Sequence, residues 1–117
     1  MDSHTRARRL AAVKLVHTAV WAFFVACIAA IPASAAYGRL RLALILSAVV
    51  LAECLVVLLN GWRCPLTGVA ARYTEERADN FDIYLPLWLA RHNKTIFGAL
   101  YLLGELYLLL QWLRTKA

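Results

Sequence analysis

The chain has 117 residues, the length of one domain, and is 62% hydrophobic but only 17% charged. Soluble domains sit near about 45–50% and about 25%, so this excess, with a mean hydropathy of +0.62, points to a membrane. A net charge of +6 raises nucleic acid as a partner. The charges, however, fall in short clusters between apolar runs and carry no nucleic-acid-binding signature, so they read as flanks of membrane spans.

In chain order, three stretches meet the requirement of about 20 mostly apolar residues for crossing a bilayer: 11–31, 40–59 and 95–113. None shows the alternation of a barrel strand, so each is expected to be a helix that satisfies its own backbone. A cleaved signal peptide is the rival for the first, with Arg6, Arg8 and Arg9 ahead of the run and Ala33-Ser34-Ala35 as a cleavage-like site. The run is too long for that, and it contains His17, Trp21, Phe23 and Phe24. We expect it to be retained. The three cysteines, Cys27, Cys54 and Cys64, form no C-x-x-C pair, and Cys27 and Cys54 lie in apolar runs as small hydrophobes.

The second run ends in N-G-W-R-C-P-L-T, residues 60–67. Gly61 breaks the helix, while Trp62 and Arg63 suit a headgroup interface. Pro65 suits a first helical turn, and Cys64 or Thr67 stands where a cap would be. The loop 60–94 should therefore open with a short surface helix over 65–77. Its second half, with Phe81, Tyr84 and Trp88, has too short an apolar core to span and should lie at the interface or dip in re-entrantly. A fourth, broken span is the alternative.

Counting Lys and Arg in short loops sets the orientation. With three spans, the N-terminal tail and the loop 60–94 share one side with nine of the 13 cations. Arg39, Arg41, Arg114 and Lys116 stand opposite. The N-terminus and loop should face the cytoplasm, with the C-terminus outside.

Ionisable residues inside a span are costly and mark candidate sites. His17, Glu53 and Glu105 qualify, and Tyr101 shares a helical face with Glu105 at i,i+4, as His17 does with Trp21. Each lies roughly 9–15 Å from the expected cytoplasmic end, from a rise of about 1.5 Å per residue. A layer of His17, Glu53, Tyr101 and Glu105 could hold a proton or a polar ligand. Equally, such groups can only fix helix register, at about 0.6–2 kcal/mol per contact. Gly98 and Gly104 would admit a close helix neighbour. No metal is expected, since His17 is the only typical ligand in the layer. In the loop, Arg63, Cys64 and Thr67 are the candidates. Cys64 beside Arg63 could favour thiolate, but no nucleophile signature accompanies it. Asp79 and Asp82 could form a carboxylate pair, and the remaining loop charges read as solvated or locally paired.

The G-W-R-C-P-L-T stretch after an apolar helix, with His17 in the first span and Y-L-P-L at 84–87, resembles a bacterial family of small multi-span membrane proteins classed as a domain of unknown function. The resemblance covers most of the chain and is specific at Gly61 to Thr67 and at His17. It implies a few membrane helices carrying a C-P-L-T turn. Where that family places a Glu three residues before Gly-Trp, this chain has Leu58, and Glu53 is the nearest acid.

The sequence therefore predicts an all-α membrane helical bundle: three transmembrane helices plus an interfacial or re-entrant segment, in a bacterial inner membrane. Its function reads first as a structural or accessory subunit, a homo-oligomer or part of a larger membrane complex, with lipid as the immediate partner. A ligand- or proton-binding protein using the His/Glu layer is the alternative, and a membrane enzyme using Cys64 the third. The sequence names no cofactor.

Overall fold

A computed structural model describes residues 2–116. Its elements are α1 (Ser3–Ala36), α2 (Leu40–Leu59), α3 (Pro65–Ala71) and α4 (Leu87–Lys116), and no strand occurs among the described residues. The helices α1, α2 and α4 are long and apolar enough to cross a membrane. The expected second span coincides with α2. The first and third lie inside longer helices, because nothing in SHTRARRL or in LWLARHNK interrupts the backbone ladder when the side chains turn polar.

Glycine ends two of these helices. Gly38 takes φ 77°; its N–H bonds the Ala35 carbonyl at 3.1 Å and that of Arg39 bonds Ser34 at 2.9 Å. This pair of bonds satisfies the last carbonyls of α1 and requires a left-handed residue, the conformation glycine adopts without a Cβ penalty. Gly61, at φ 68°, does the same for α2, with the Trp62 N–H on the Val57 carbonyl at 2.9 Å. Trp62 itself stands at φ 66°. Pro65 opens α3 as expected, but the helix stops at Ala71 rather than running to residue 77. The N–H groups of Arg72 and Tyr73 bond three residues back, to Val69 and Ala70, which tightens the last turn and ends it. Residues 72–86 hold no helix. Pro86 disfavours helical geometry at Leu85, and α4 begins directly after it, so residues 87–93 are its first turns rather than a separate segment.

The chain falls into two compact units, and the three long helices contribute to both. The first comprises Met1–Ala22 and Leu55–Asn93; the second comprises Phe23–Cys54 and Lys94–Ala117. In the first, Ala70, Asp82 and Ile83 are buried where α3 and the following loop pack. In the second, the buried core is Cys27, Ile31, Ala35, Ala43, Val50 and Leu108, with Phe24, Ile28 and Tyr101 packed against it. Gly104 is buried there: a Cβ on it would lie 3.4 Å from Pro32 Cδ and 3.8 Å from Ile31 Cγ2, so its lack of a side chain seats α4 on α1. A Cβ on Gly98 would meet nothing within 4 Å beyond its own helix.

The side chains of the second unit run opposite to those of a soluble helix. On α2 the buried residues are Ala43, Ser47 and Val50, spaced at i, i+4 and i+7. Leu42, Leu44, Ile45 and Leu51 point outward, 41–54% exposed. On α4 the buried positions are Gly104 and Leu108, while Leu102, Leu103, Leu106 and Leu110 are 57–65% exposed. Small and polar residues such as Ala43, Ser47 and Gly104 inside, beside Ile31, Val50 and Leu108, with most bulky aliphatics of α2 and α4 outside, is the arrangement that helices adopt when lipid, not water, surrounds them.

Candidate functional site

In the first unit, α1 presents Lys14, His17, Thr18 and Trp21 at i, i+3, i+4 and i+7, one helical stripe. His17 Nδ1 lies 3.0 Å from the backbone carbonyl of Asp82. A carbonyl only accepts, so Nδ1 carries the proton. The same nitrogen lies 3.5 Å from Asp82 Oδ2, and the two side chains are 13% and 8% exposed. Thr67, from α3, donates its hydroxyl to Asp82 Oδ2. One nearly buried carboxylate thus ties the start of α3 to the loop, and its main-chain oxygen ties the loop to α1. Thr18 Oγ1 donates to the Lys14 carbonyl at 2.7 Å and accepts the Tyr84 N–H at 3.0 Å. Lys14 Nζ sits 4.4 Å from the centre of the Tyr84 ring. Trp21 Nε1 donates to Asn93 Oδ1 at 2.8 Å, joining α1 to the start of α4.

Burying a carboxylate is costly unless it is paired and hydrogen-bonded. Thr67 supplies a hydrogen bond to the Asp82 carboxylate, and His17 Nδ1, bonded to the Asp82 main-chain carbonyl, stands 3.5 Å from it. Asp79 is not its pair: it bonds Arg91 Nε at 2.9 Å with both side chains at least half exposed. Arg77 folds back on the Thr74 and Glu76 carbonyls at 2.7 and 2.6 Å and covers the Phe81 ring at 5.2 Å.

The second unit has its own polar centre. Ser47 on α2 donates to Glu105 Oε1 at 2.5 Å, and Tyr101 Oη donates to the Ser47 carbonyl at 3.1 Å. Ser47 is 8% exposed. Gln111 Nε2 reaches the Ala35 carbonyl at 3.4 Å, near the end of α1. Among the described residues no group of three or more His, Cys, Asp or Glu is placed to hold a metal.

The structure therefore brings Tyr101 and Glu105 together, on the α2 residue Ser47. Glu53 lies half-buried on α2 in the same unit and interacts with neighbouring groups. His17 belongs to the first unit and pairs with Asp82. Of the loop candidates, Thr67 joins Asp82, Arg63 is exposed and offers its carbonyl to Asn60 Nδ2 at 2.8 Å, and Cys64 is half-buried. Cys64 occupies the N-cap of α3 without a side-chain cap bond, although its carbonyl accepts the Thr67 N–H at 2.9 Å. Thr18 and Ser47 escape the sequence reading, and Asp82 enters it only as a possible pair for Asp79. Asp82 looks like one more loop acid, yet F-D-I-Y-L places it alone in an apolar run, which is the signal of burial. Thr18 completes the stripe already visible in His17 and Trp21. Ser47 carries no charge to draw notice.

No known family model, curated protein or solved structure matches the chain.

Proposed function

We propose that this chain is a small three-span integral membrane protein acting as a structural or accessory subunit of a membrane assembly. One observation carries the reading: His17, Tyr101 and Glu105, polar groups within its long helices, are engaged with partners inside the chain, while bulky aliphatic side chains of α2 and α4 point outward. Glu105 and Tyr101 use their hydrogen-bonding groups on Ser47, and His17 on Asp82. Groups committed in this way fix helix register and loop position. Meanwhile α2 and α4 offer the large outward leucine surfaces that lipid or a neighbouring helix would cover.

The location we propose is a bacterial inner membrane, with the N-terminus and the loop 60–94 cytoplasmic and the C-terminus outside. The bias of nine of 13 cations toward one side supports it. The resemblance of G-W-R-C-P-L-T to small bacterial membrane proteins agrees with it. A homo-oligomer or a heteromeric complex would both serve the proposed role. Purification in mild detergent, followed by mass spectrometry, metal analysis and an absorbance spectrum, tests the assignment. Stoichiometric partners or a defined oligomer support it. A visible absorbance band or bound metal sinks it in favour of ligand chemistry, as does Cys64→Ser abolishing activity with assembly intact in favour of an enzyme.

A further inference from the structure

We propose that the turn joining α1 to α2 binds the phosphate of an anionic phospholipid headgroup. The inference rests on the membrane reading above, and it concerns the opposite end of α2 from the W-R-C-P turn. A groove of about 450 Å³ lies beside this turn, lined by Ala33, Ser34, Tyr37, Arg39 and Leu42. Its chemistry is one-sided. Arg39 and Arg41 are both exposed, and among the described residues neither guanidinium has a hydrogen-bond or ion-pair partner. The first turn of α2 contains no acid. Two cations thus stand at the positive end of a 20-residue helix, where the backbone dipole disfavours them unless an anion is present.

A second observation lies in the groove wall. Ser34 is only 8% exposed, and its hydroxyl bonds no described residue. No buried side-chain oxygen among the described residues lacks a partner, so this hydroxyl is open to the groove, where a ligand oxygen can reach it. The backbone adds donors. The Arg39 N–H is taken by Ser34 and the Ala43 N–H by the Arg39 carbonyl, which leaves the N–H groups of residues 40–42 as the helix's orphan donors. Guanidinium forks, a hydroxyl and open amides match the oxygens of a phosphodiester. The occupant we assign is a lipid rather than free phosphate. Ala33 and Leu42 make the groove wall apolar, and the outward Leu44 and Ile45 of α2 continue an apolar surface for acyl chains. Tyr37, 84% exposed, is an aromatic of the kind that settles at headgroup level.

The test uses the full chain. Carbonate-washed membranes come first: release of the protein overturns the membrane reading and this inference with it. Retained protein is then reconstituted in nanodiscs mixing phosphatidylglycerol with phosphatidylcholine, and the lipids that stay bound are counted by native mass spectrometry. Wild type should keep phosphatidylglycerol preferentially. Arg39→Gln with Arg41→Gln should lower that retention about 25-fold, from roughly fivefold per cation near a headgroup. Ser34→Ala should lower it about tenfold, the lower end for one hydrogen bond to a charged group. Arg39→Lys with Arg41→Lys, which keeps the charge, should restore most of it and guards against misfolding of the Gln pair. Substituting Arg6, Arg8 and Arg9 by Gln should change nothing. Equal retention of both lipids, or no effect of the Gln pair, overturns the inference while leaving the membrane reading intact. Displacement of the lipid by soluble glycerol phosphate at similar concentration overturns the assignment to lipid.

Discussion

The two units solve opposite problems. The first contains residues 72–86, backbone without helix, and secures it by reaching across the sequence: His17 to Asp82, Thr67 to Asp82, Thr18 to Tyr84, Trp21 to Asn93. The second consists of helix and one tight turn, so its backbone is already satisfied. It packs by small residues, with Gly104 on Pro32 and Ala43, Ser47 and Val50 as the inner face of α2. Its polar contacts are the centre at Ser47 and the bond from Gln111 to the Ala35 carbonyl. Polar bonds between distant residues occur in both units: those of the first land mainly on the helix-free loop, while those of the second join helix to helix beside small-residue packing.

That contrast can be broken, and the largest effect should come from its most buried charge. Asp82→Ala removes the acceptor of Thr67 and the carboxylate 3.5 Å from His17, whose bond to the Asp82 main-chain carbonyl remains, and should cost about 3 kcal/mol, the upper end for a hydrogen bond to a charged group. Hydrogen exchange should then rise over residues 80–86 and stay unchanged in α2. A double-mutant cycle with His17→Ala should show coupling above about 0.5 kcal/mol, as expected of residues in one network. In the second unit the sensitive position is apolar. Gly104→Leu should destabilise by about 1–3 kcal/mol through overpacking against Pro32, whereas Gly98→Leu, with open space around it, should be close to neutral. Denaturant titration in detergent micelles reads both.

Ser47→Ala should be milder, about 0.6–2 kcal/mol, because an inter-helix hydrogen bond in lipid is modest and the Ser47 carbonyl still accepts from Tyr101. An equal loss from Ser47→Ala and Asp82→Ala would erase the difference between the units. The smallest effect belongs to Asp2, which caps α1 by accepting the Thr5 N–H at 2.7 Å. That backbone bond, and then the Thr5 hydroxyl, holds its carboxyl below the ordinary carboxylate range. A lowered folded value means the cap is fully present above the unfolded value of about 4 and is lost as pH falls through the folded one. Amide exchange in the first turn of α1 should therefore quicken only in acid, and Asp2→Asn should remove that pH dependence.

The sequence reveals most where physics is local. The bounds of α2 follow from an unbroken apolar run closed by Gly61, and the partnership of Tyr101 with Glu105 follows from i,i+4 spacing. The start of α3 follows from Pro65. Its end does not, since it is set by Arg72 and Tyr73 tightening the last turn. The partners across the fold are harder still. Nothing in local spacing selects Ser47 as the group facing Glu105, or pairs His17 with an acid 65 residues away. Those choices come from helix packing, which a linear pattern does not encode.

The inside-out arrangement of α2 and α4 is the claim on which the rest depends. Nitroxide labels at Leu44→Cys and Leu106→Cys, in a background lacking Cys27, Cys54 and Cys64, test it directly by collision with oxygen and with a water-soluble nickel chelate after reconstitution. The account predicts that oxygen collisions dominate at both positions, as for side chains in hydrocarbon. Dominant collisions with the nickel chelate at both would place these faces in water and contradict it.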